Sequence, residues 1–521
     1  MIRCLTFALL LAALAVGTAG AADIGVIDIA DFSGGLNTRD GAGGIADNEL
    51  AEILNCHLNG KAVMKRNGFV SYADSAQVDS TEAGTGIAEA TFTDSTRIVV
   101  FAGQNVAWDS LGSLSDITGA VSLTNDKPVL TAMVNNNLVA VNGTNPAAYW
   151  DGSGVFETLS GTNIPTAPDV CAEYKGRLFL AQGRYLYWSE YSGAWKTFHP
   201  DDYQPFEEDI TGLYVYGYGS NAKLIVFTRR GVTACIFDAS IGEAIGGRGV
   251  FRFEVITMKH GCISPYSVQE CQSDDGTTVL MWADSDGIKA LSGNSIVRLT
   301  DRIQPTWDAL DKGLLATARG VHYTSRRWYM LTCGEEGETE NNRVIVYDLR
   351  NWTVGGIFDW DISTLDVVRV NGADKIVGSD YDGYWHTYDS GTSDGGSNIE
   401  SYFLTKSYDG GSPLVDKGFM SVVIHHSYQG AYRMDFTVFL EASTSSNSVT
   451  YTARAQGVPL GLFMLGTDRL YSKGGMVIAG NELRGRGRNA QVRVAGRYAN
   501  EPFEVYRLQL PYEPGRMVIA R

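Results

Sequence analysis

The stretch RIVVFAGQNVAWD, Arg97–Asp109, decides how this chain is read. An apolar, β-branched run is broken by a short polar turn and followed by a second strand-like run ending in Trp-Asp. That is a hairpin pattern, with residue types that suit a pleated, half-buried surface. NLVAVNGTNPAAYWD (Asn137–Asp151) and RLFLAQGRYLYWS (Arg177–Ser189) lie over it. The terminal tryptophans Trp108, Trp150 and Trp188 are spaced by 42 and then 38 residues. A period near 40 with paired strands in each unit is the signature of propeller blades.

Looser copies continue the series. KLIVFTRRGVTACIFD (Lys223–Asp238) and TVLMWADSDGIKALSGNSIVRLTD (Thr278–Asp301) repeat strand, turn, strand. RRWYMLTC (Arg326–Cys333) and NRVIVYDLRNWTV (Asn342–Val354) pair across the acidic loop GEEGETE, and ADKIVGSDYDGYWHTYD (Ala373–Asp389) adds one more. About seven units fit between residues 71 and 400, so the expected core is a β-propeller of six to eight blades. Asn67-Gly68, Asn142-Gly143, Asp151-Gly152, Asp286-Gly287 and Asp382-Gly383 are candidate type I′ turns, because these pairs tolerate the positive φ that both central positions need.

Composition agrees with a large all-β protein. The chain has 521 residues, 44% hydrophobic and 11% aromatic, with 60 glycines to serve many turns. Its net charge of −17 excludes a general nucleic-acid-coating role. Residues 1–22 read as a signal-peptide-like hydrophobic segment. Arg3 precedes the apolar run Leu5–Val16, which is short for a bilayer span, and small residues follow it. No CxxC pair occurs among the seven cysteines. Disulfides, with Cys262–Cys271 the shortest candidate, and buried free thiols are both open.

Outside the repeats lie an arm at 23–70 and a C-terminal β domain at 401–521. In the arm, Ile45, Leu50, Ile53 and Leu54 fall on one helical face, Asp47 is a candidate N-cap and Glu49 suits the first turn, which predicts a short helix. In the C-terminal domain the Trp-ended repeats stop and alternating strands take over (KGFMSVVIHHSY, YRMDFTVFLEAS, AQVRVAGRY, PFEVYRLQLPY), as in a separate β-sandwich or platform. From Gly480 to Arg521 there are eight arginines against four glutamates, and Arg484, Arg486 and Arg488 are spaced by glycine. Such a cationic stretch suits an acidic neighbour or phosphate.

The arm and the repeats together resemble one group of phage proteins. These open with a GG-L/I-N strap, here Gly34, Gly35, Leu36 and Asn37. An N-E-L segment follows (Asn48, Glu49, Leu50), then N…G…R-x-G-F (Asn55, Gly60, Arg66, Gly68, Phe69). RLFLAQGRYLYWSEYSGAWKTF, HGCISPYSVQ, VIVYDLRNWTV and TKSYDGGSPLVDKGF follow in matching order. The group comprises the tail nozzle, tail-tubular and tail-stabilising proteins of short-tailed phages. The resemblance implies a structural virion protein on the DNA exit path, assembled with itself as a ring, expected as a hexamer. Its implied partners are the tail adaptor and portal-side proteins, with transient contact to exiting DNA, and its implied place is the virion tail. Gly34, Gly35, Asn37, Arg66, Arg484, Arg486 and Arg488 are the candidate assembly residues. A true leader would instead place the protein in the periplasm or outside the cell.

Catalytic patterns are thin. The seven histidines are scattered, and no HExxH, GxSxG or P-loop pattern occurs. No catalytic, cofactor or metal residue is therefore assigned, and no enzyme is expected. The rival class is an exported β-propeller acting as a binding or scaffold protein, or as a glycan-active enzyme. SEYSGAW (Ser189–Trp195) and SDYDGYW (Ser379–Trp385) approach the S-x-D-x-G-x-x-W box of sialidase-like propellers, but Trp comes one residue too soon and Tyr191 or Tyr381 stands where Asp is expected. Asp284, Asp286, Asp380 and Asp382 sit at alternate turn positions, where carboxylates can serve Ca²⁺ or simply shape hairpins.

Overall fold

A computed structural model describes residues 24–72, 78–79, 82–110, 112–121, 123–238, 250–370, 372–427, 432–441, 446–453, 476–498 and 500–517. The leader-like segment lies outside these residues.

Seven blades form the body. Blades 1 to 5 are four-stranded antiparallel sheets spanning 84–116, 130–158, 170–205, 210–257 and 269–298, each with its strands in sequence order. Blade 6 spans 320–358 and blade 7 begins at 364. The repeats picked out by sequence are the second and third strands of successive blades: Arg97–Asp109 covers all but the first residue of Thr96–Ala102 and the whole of Asn105–Asp109, paired with Val99 opposite Trp108. These middle strands are the most buried, which is why they carry the densest apolar code.

The ring is closed by the N-terminal part of the chain. Blade 7 takes three strands from 364–388, and its fourth is Phe69–Ser71, with Tyr388 opposite Phe69 and His386 opposite Ser71. The inner strand of blade 7, Thr364–Val370, packs on that of blade 1, Gly84–Thr91. An edge that would otherwise lie open is thus covered by a strand more than three hundred residues away in sequence.

Three expectations are corrected. The arm contains no helix at 45–54: Glu49–Leu54 is a strand, parallel to Gly35–Leu36 and antiparallel to Ser401–Thr405. A register shift between Leu50 and Glu52 explains the misleading pattern. One extra residue turns Leu50 and Ile53, three apart, to the same buried side, so helical spacing is produced by a bulged strand. Among the described residues the one α-helix is Gln304–Asp308.

Nor are the arm and the C-terminal region separate layers. The strand Glu504–Met517 pairs with Gly25–Ile29 and Ala62–Lys65, and Ala490–Gly496 lies between Ser401–Thr405 and Tyr432–Leu440. The two chain ends build one two-sheet platform around Phe32, Phe403, Phe436, Val492 and Leu508. One of its sheets is continuous with blade 6, because Cys56–Asn59 pairs with Thr353–Phe358. A hydrogen-bonded sheet crossing from propeller to platform resists hinge motion in a way that a linker does not.

The type I′ turns also fall elsewhere. Both central residues have positive φ at Asn135-Asn136 and at Lys175-Gly176, whereas in Asn142-Gly143, Asp151-Gly152, Asp286-Gly287 and Asp382-Gly383 only the glycine does. Gly68 does not turn a hairpin but runs beside Ser393, where a Cβ would collide with its carbonyl.

Candidate functional site: the strap, the Arg66 clamp and the acidic recess

The glycine-rich strap is held within its own chain. Gly35 has φ +70°, and a Cβ there would stand 2.5 Å from the Val354 carbonyl oxygen, so only glycine fits against blade 6. A Cβ on Gly34 would stand 2.7 Å from Glu49 Cγ. Asn37 is buried; its amide donates to Glu49 Oε2 at 2.9 Å, while its Oδ1 accepts from the Arg39 and Asp40 backbone N–H groups. Glu49 in turn pairs with Arg302 at 2.9 Å, on the segment between blades 5 and 6.

Arg66 is the second anchor. Its side chain is 1% exposed. The guanidinium donates to both oxygens of Asp394 at 2.7 Å, to Asp359 Oδ1 at 2.9 Å and, through Nε, to Asn55 Oδ1 at 2.7 Å. It also lies 4.7 Å from the Trp360 ring centre. A bidentate arginine fork is the geometry that makes such a pair strong. It binds the arm to the exit of blade 6 and to the segment after blade 7, three residues before the strand that closes the ring.

Beside the clamp, between blades 6 and 7, is a recess of about 320 Å³. Six carboxylates line it: Glu340, Asp359, Asp361, Asp380, Asp382 and Asp394. Asp361 titrates above the usual carboxylate range, first from burial and then from Asp359, and Glu340 does so from burial and then Asp361. His386 Nε2 lies 2.8 Å from Asp380 Oδ2. The turn aspartates have protein partners: Asp284 accepts from the Ser285 N–H, Asp286 pairs with Lys289 and Asp380 with His386. Among the described residues no group of three or more His, Cys, Asp or Glu side chains is arranged to hold a metal ion.

The arginine stretch belongs to a different place. Arg484 and Arg486 are on the strand Met476–Gly487, which pairs with Val415–Ser427 at the far side of the platform. Arg486 is exposed, and Arg488 is engaged with Glu441 at 3.0 Å. The side chain of Arg484 lies outside the described residues. The seven candidate assembly residues are therefore split, with Gly34, Gly35, Asn37 and Arg66 buried in intramolecular contacts and Arg486 presented outward.

Other groups are set for structure. All six described cysteines are free and buried, and burial pushes the thiols of Cys171, Cys262 and Cys333 up to about 12, far from thiolate chemistry. Arg319, missed by sequence reading, spans the start of the inner strands. It donates to the Thr85 carbonyl of blade 1 and to the Val129 carbonyl, 3.4 Å away, at the start of blade 2, with its guanidinium 4.3 Å from the Tyr266 ring centre. Nothing local in GLLATARGVHY signals a side chain reaching across the axis.

No protein-family model matches the chain, and no curated protein matches it. Solved structures similar to it include the WD40 propeller domain of Doa1 (7% identity, 62% of this chain and 97% of that one, TM-score 0.40). Others are YCF48 bound to D1 peptide (9%, 62% and 97%, 0.36) and the computationally designed Ika8 protein (11%, 61% and 99%, 0.36). The propeller assignment rests on strand order and ring closure; likeness at this level carries no argument about function.

Proposed function

We propose that the protein is a structural scaffold of a short-tailed phage tail, a ring-forming nozzle or tail-stabilising component. The observation that carries this reading is the coincidence between the tail-protein motif and the points where the fold locks. Gly35, Asn55 and Arg66 fasten the arm to blade 6 and its exit, Gly68 lies against the segment after blade 7, and Gly34 and Asn37 hold the arm's own turn around Glu49. A part that must bear load benefits from two bodies joined by continuous sheet. Arg319 bridges one end of the propeller axis, so DNA would pass between ring subunits, not along the axis of each propeller. The acidic chain would keep that DNA from adhering. Arg486, exposed on the platform, suits an acidic surface of a neighbouring subunit or adaptor.

Mass photometry and negative-stain microscopy of the full-length protein test this. A closed ring of defined copy number, weakened by Arg486→Ser with Arg488→Ser, is expected. A monomer that neither forms rings nor joins tails lacking this component refutes it.

A further inference from the structure

The inner strands of blades 4, 5 and 6 end around a second recess, of about 440 Å³. It lies on the face away from Arg319, since its lining runs from within those strands to the residues that follow two of them, Gly217–Tyr218 and Thr324, whereas Arg319 stands before one. We propose that this recess binds a neutral saccharide, with Glu270 and His322 accepting hydrogen bonds from its hydroxyls and Tyr218 offering a ring face. The inference does not rest on the tail assignment.

Two buried acceptors lack donors. Glu270 Oε1 has no hydrogen-bond partner, although the carboxylate as a whole takes the long Gly217 N–H on Oε2 at 3.4 Å and a bond from the Tyr218 phenol. His322 Nε2 is likewise buried and unpaired. Burial, and then the Arg327 charge, lower its pKa, against the raising effect of backbone hydrogen bonds to Gln272 and Glu270. A neutral imidazole that donates from one nitrogen presents a lone pair on the other. A buried acceptor without a donor is costly, and a ligand that supplies O–H groups removes that cost.

The rest of the lining has the same chemistry. The Tyr214 hydroxyl oxygen accepts the Glu270 N–H at 3.2 Å, leaving its own proton to donate. Tyr218 is 79% exposed, and its phenol is pushed up by its hydrogen bond with Glu270 and that carboxylate's charge. Gln272 and Thr324 add exposed polar groups at the rim. Hydroxyls that both give and take, beside an exposed aromatic face, match a sugar better than a purely apolar ligand or an anion, which Glu270 repels.

Saturation-transfer NMR on the full-length protein tests this with glucose, galactose, mannose, rhamnose, N-acetylglucosamine and N-acetylgalactosamine, and with choline as a cationic control. Transfer to at least one sugar is expected, reduced about tenfold or more by Glu270→Gln and by Tyr218→Ala. Tyr218 is exposed, so its variant tests the site without threatening the fold, and circular dichroism melting checks both. Absence of transfer to every sugar overturns the proposal. So does transfer that both variants leave intact, or a stronger response from choline than from any sugar.

Discussion

Replacing Arg66 with methionine is the most informative single change. Methionine fills much of the same volume but leaves Asp394, Asp359 and the Asn55 side chain without the guanidinium. Removing one partner of a buried pair costs about 3–5 kcal/mol, because the remaining charge stays desolvated. Here the Asp394 and Asp359 side chains retain 18% and 35% exposure, so water recovers part of that loss and the lower end, about 3 kcal/mol, is expected. With an unfolding entropy of about 2 cal/mol/K per residue, cooperative melting of the chain would shift its midpoint by about 3 °C. Arg66→Lys keeps the charge but not the fork, and should fall between. Adding Asp394→Asn to Arg66→Met should restore part of the loss, since the orphaned carboxylate is then gone. Calorimetry gives the midpoints, and hydrogen exchange gives the location: amides of Phe69–Ser71 and Trp385–Tyr388, the closing pair, should exchange faster. A midpoint within about 0.5 °C of wild type, with unchanged exchange at those strands, would refute the clamp.

Trp150 is 1% exposed and its indole N–H donates to the Ser153 carbonyl at 3.0 Å, so Trp150→Ala should cost about 3–5 kcal/mol by denaturant titration. Gly35→Ala, forced to φ +70° against the Val354 carbonyl, should cost about 2–3 kcal/mol and open the strap to limited proteolysis. Asp366, between Arg319 and Glu89 in its field, is pushed up to about 6, first by burial. Its folded pKa exceeds the unfolded one, so its stabilising contribution is full below about pH 4 and is lost as pH rises through about 6. Asp366→Asn should therefore raise the melting midpoint at pH 7.5, by the equivalent of about 1–3 kcal/mol, and have little effect at pH 4; equal shifts at both pH values would contradict the assignment.

The seven blades were legible because each repeats the same physical problem. A strand buried on both faces needs a continuous apolar run, and the turn after it needs glycine or asparagine; VVFAGQN, VAVNGTN and FLAQGR state this three times. The turn types were less legible. Asn135-Asn136 and Lys175-Gly176 form the hairpins that have positive φ at both positions, while the more familiar Asn-Gly and Asp-Gly pairs use it at glycine alone. Dipeptide preference is a local statement, and the loop length between paired strands decides the geometry.

The candidate site was half legible for a related reason. Gly34, Gly35, Asn37 and Arg66 could be singled out by residue type, but their partners Thr353, Glu49, Asp359 and Asp394 are set by pairings far apart in sequence. The same distance hid the strand at Glu49–Leu54. Read alone, ELAEIL has the composition and spacing of a helix, and it becomes a strand because Tyr402–Thr405 and Gly35–Leu36 supply backbone partners on both sides. The consequence is mechanical as well as topological. Strands from residues 25–71 cap blade 7, extend blade 6 and pair with the last strand of the chain. The two bodies therefore complete at different points of the chain: the propeller has all its blade strands once Trp385–Tyr388 is made, whereas the platform's sheets wait for Ala490–Gly496 and Glu504–Met517.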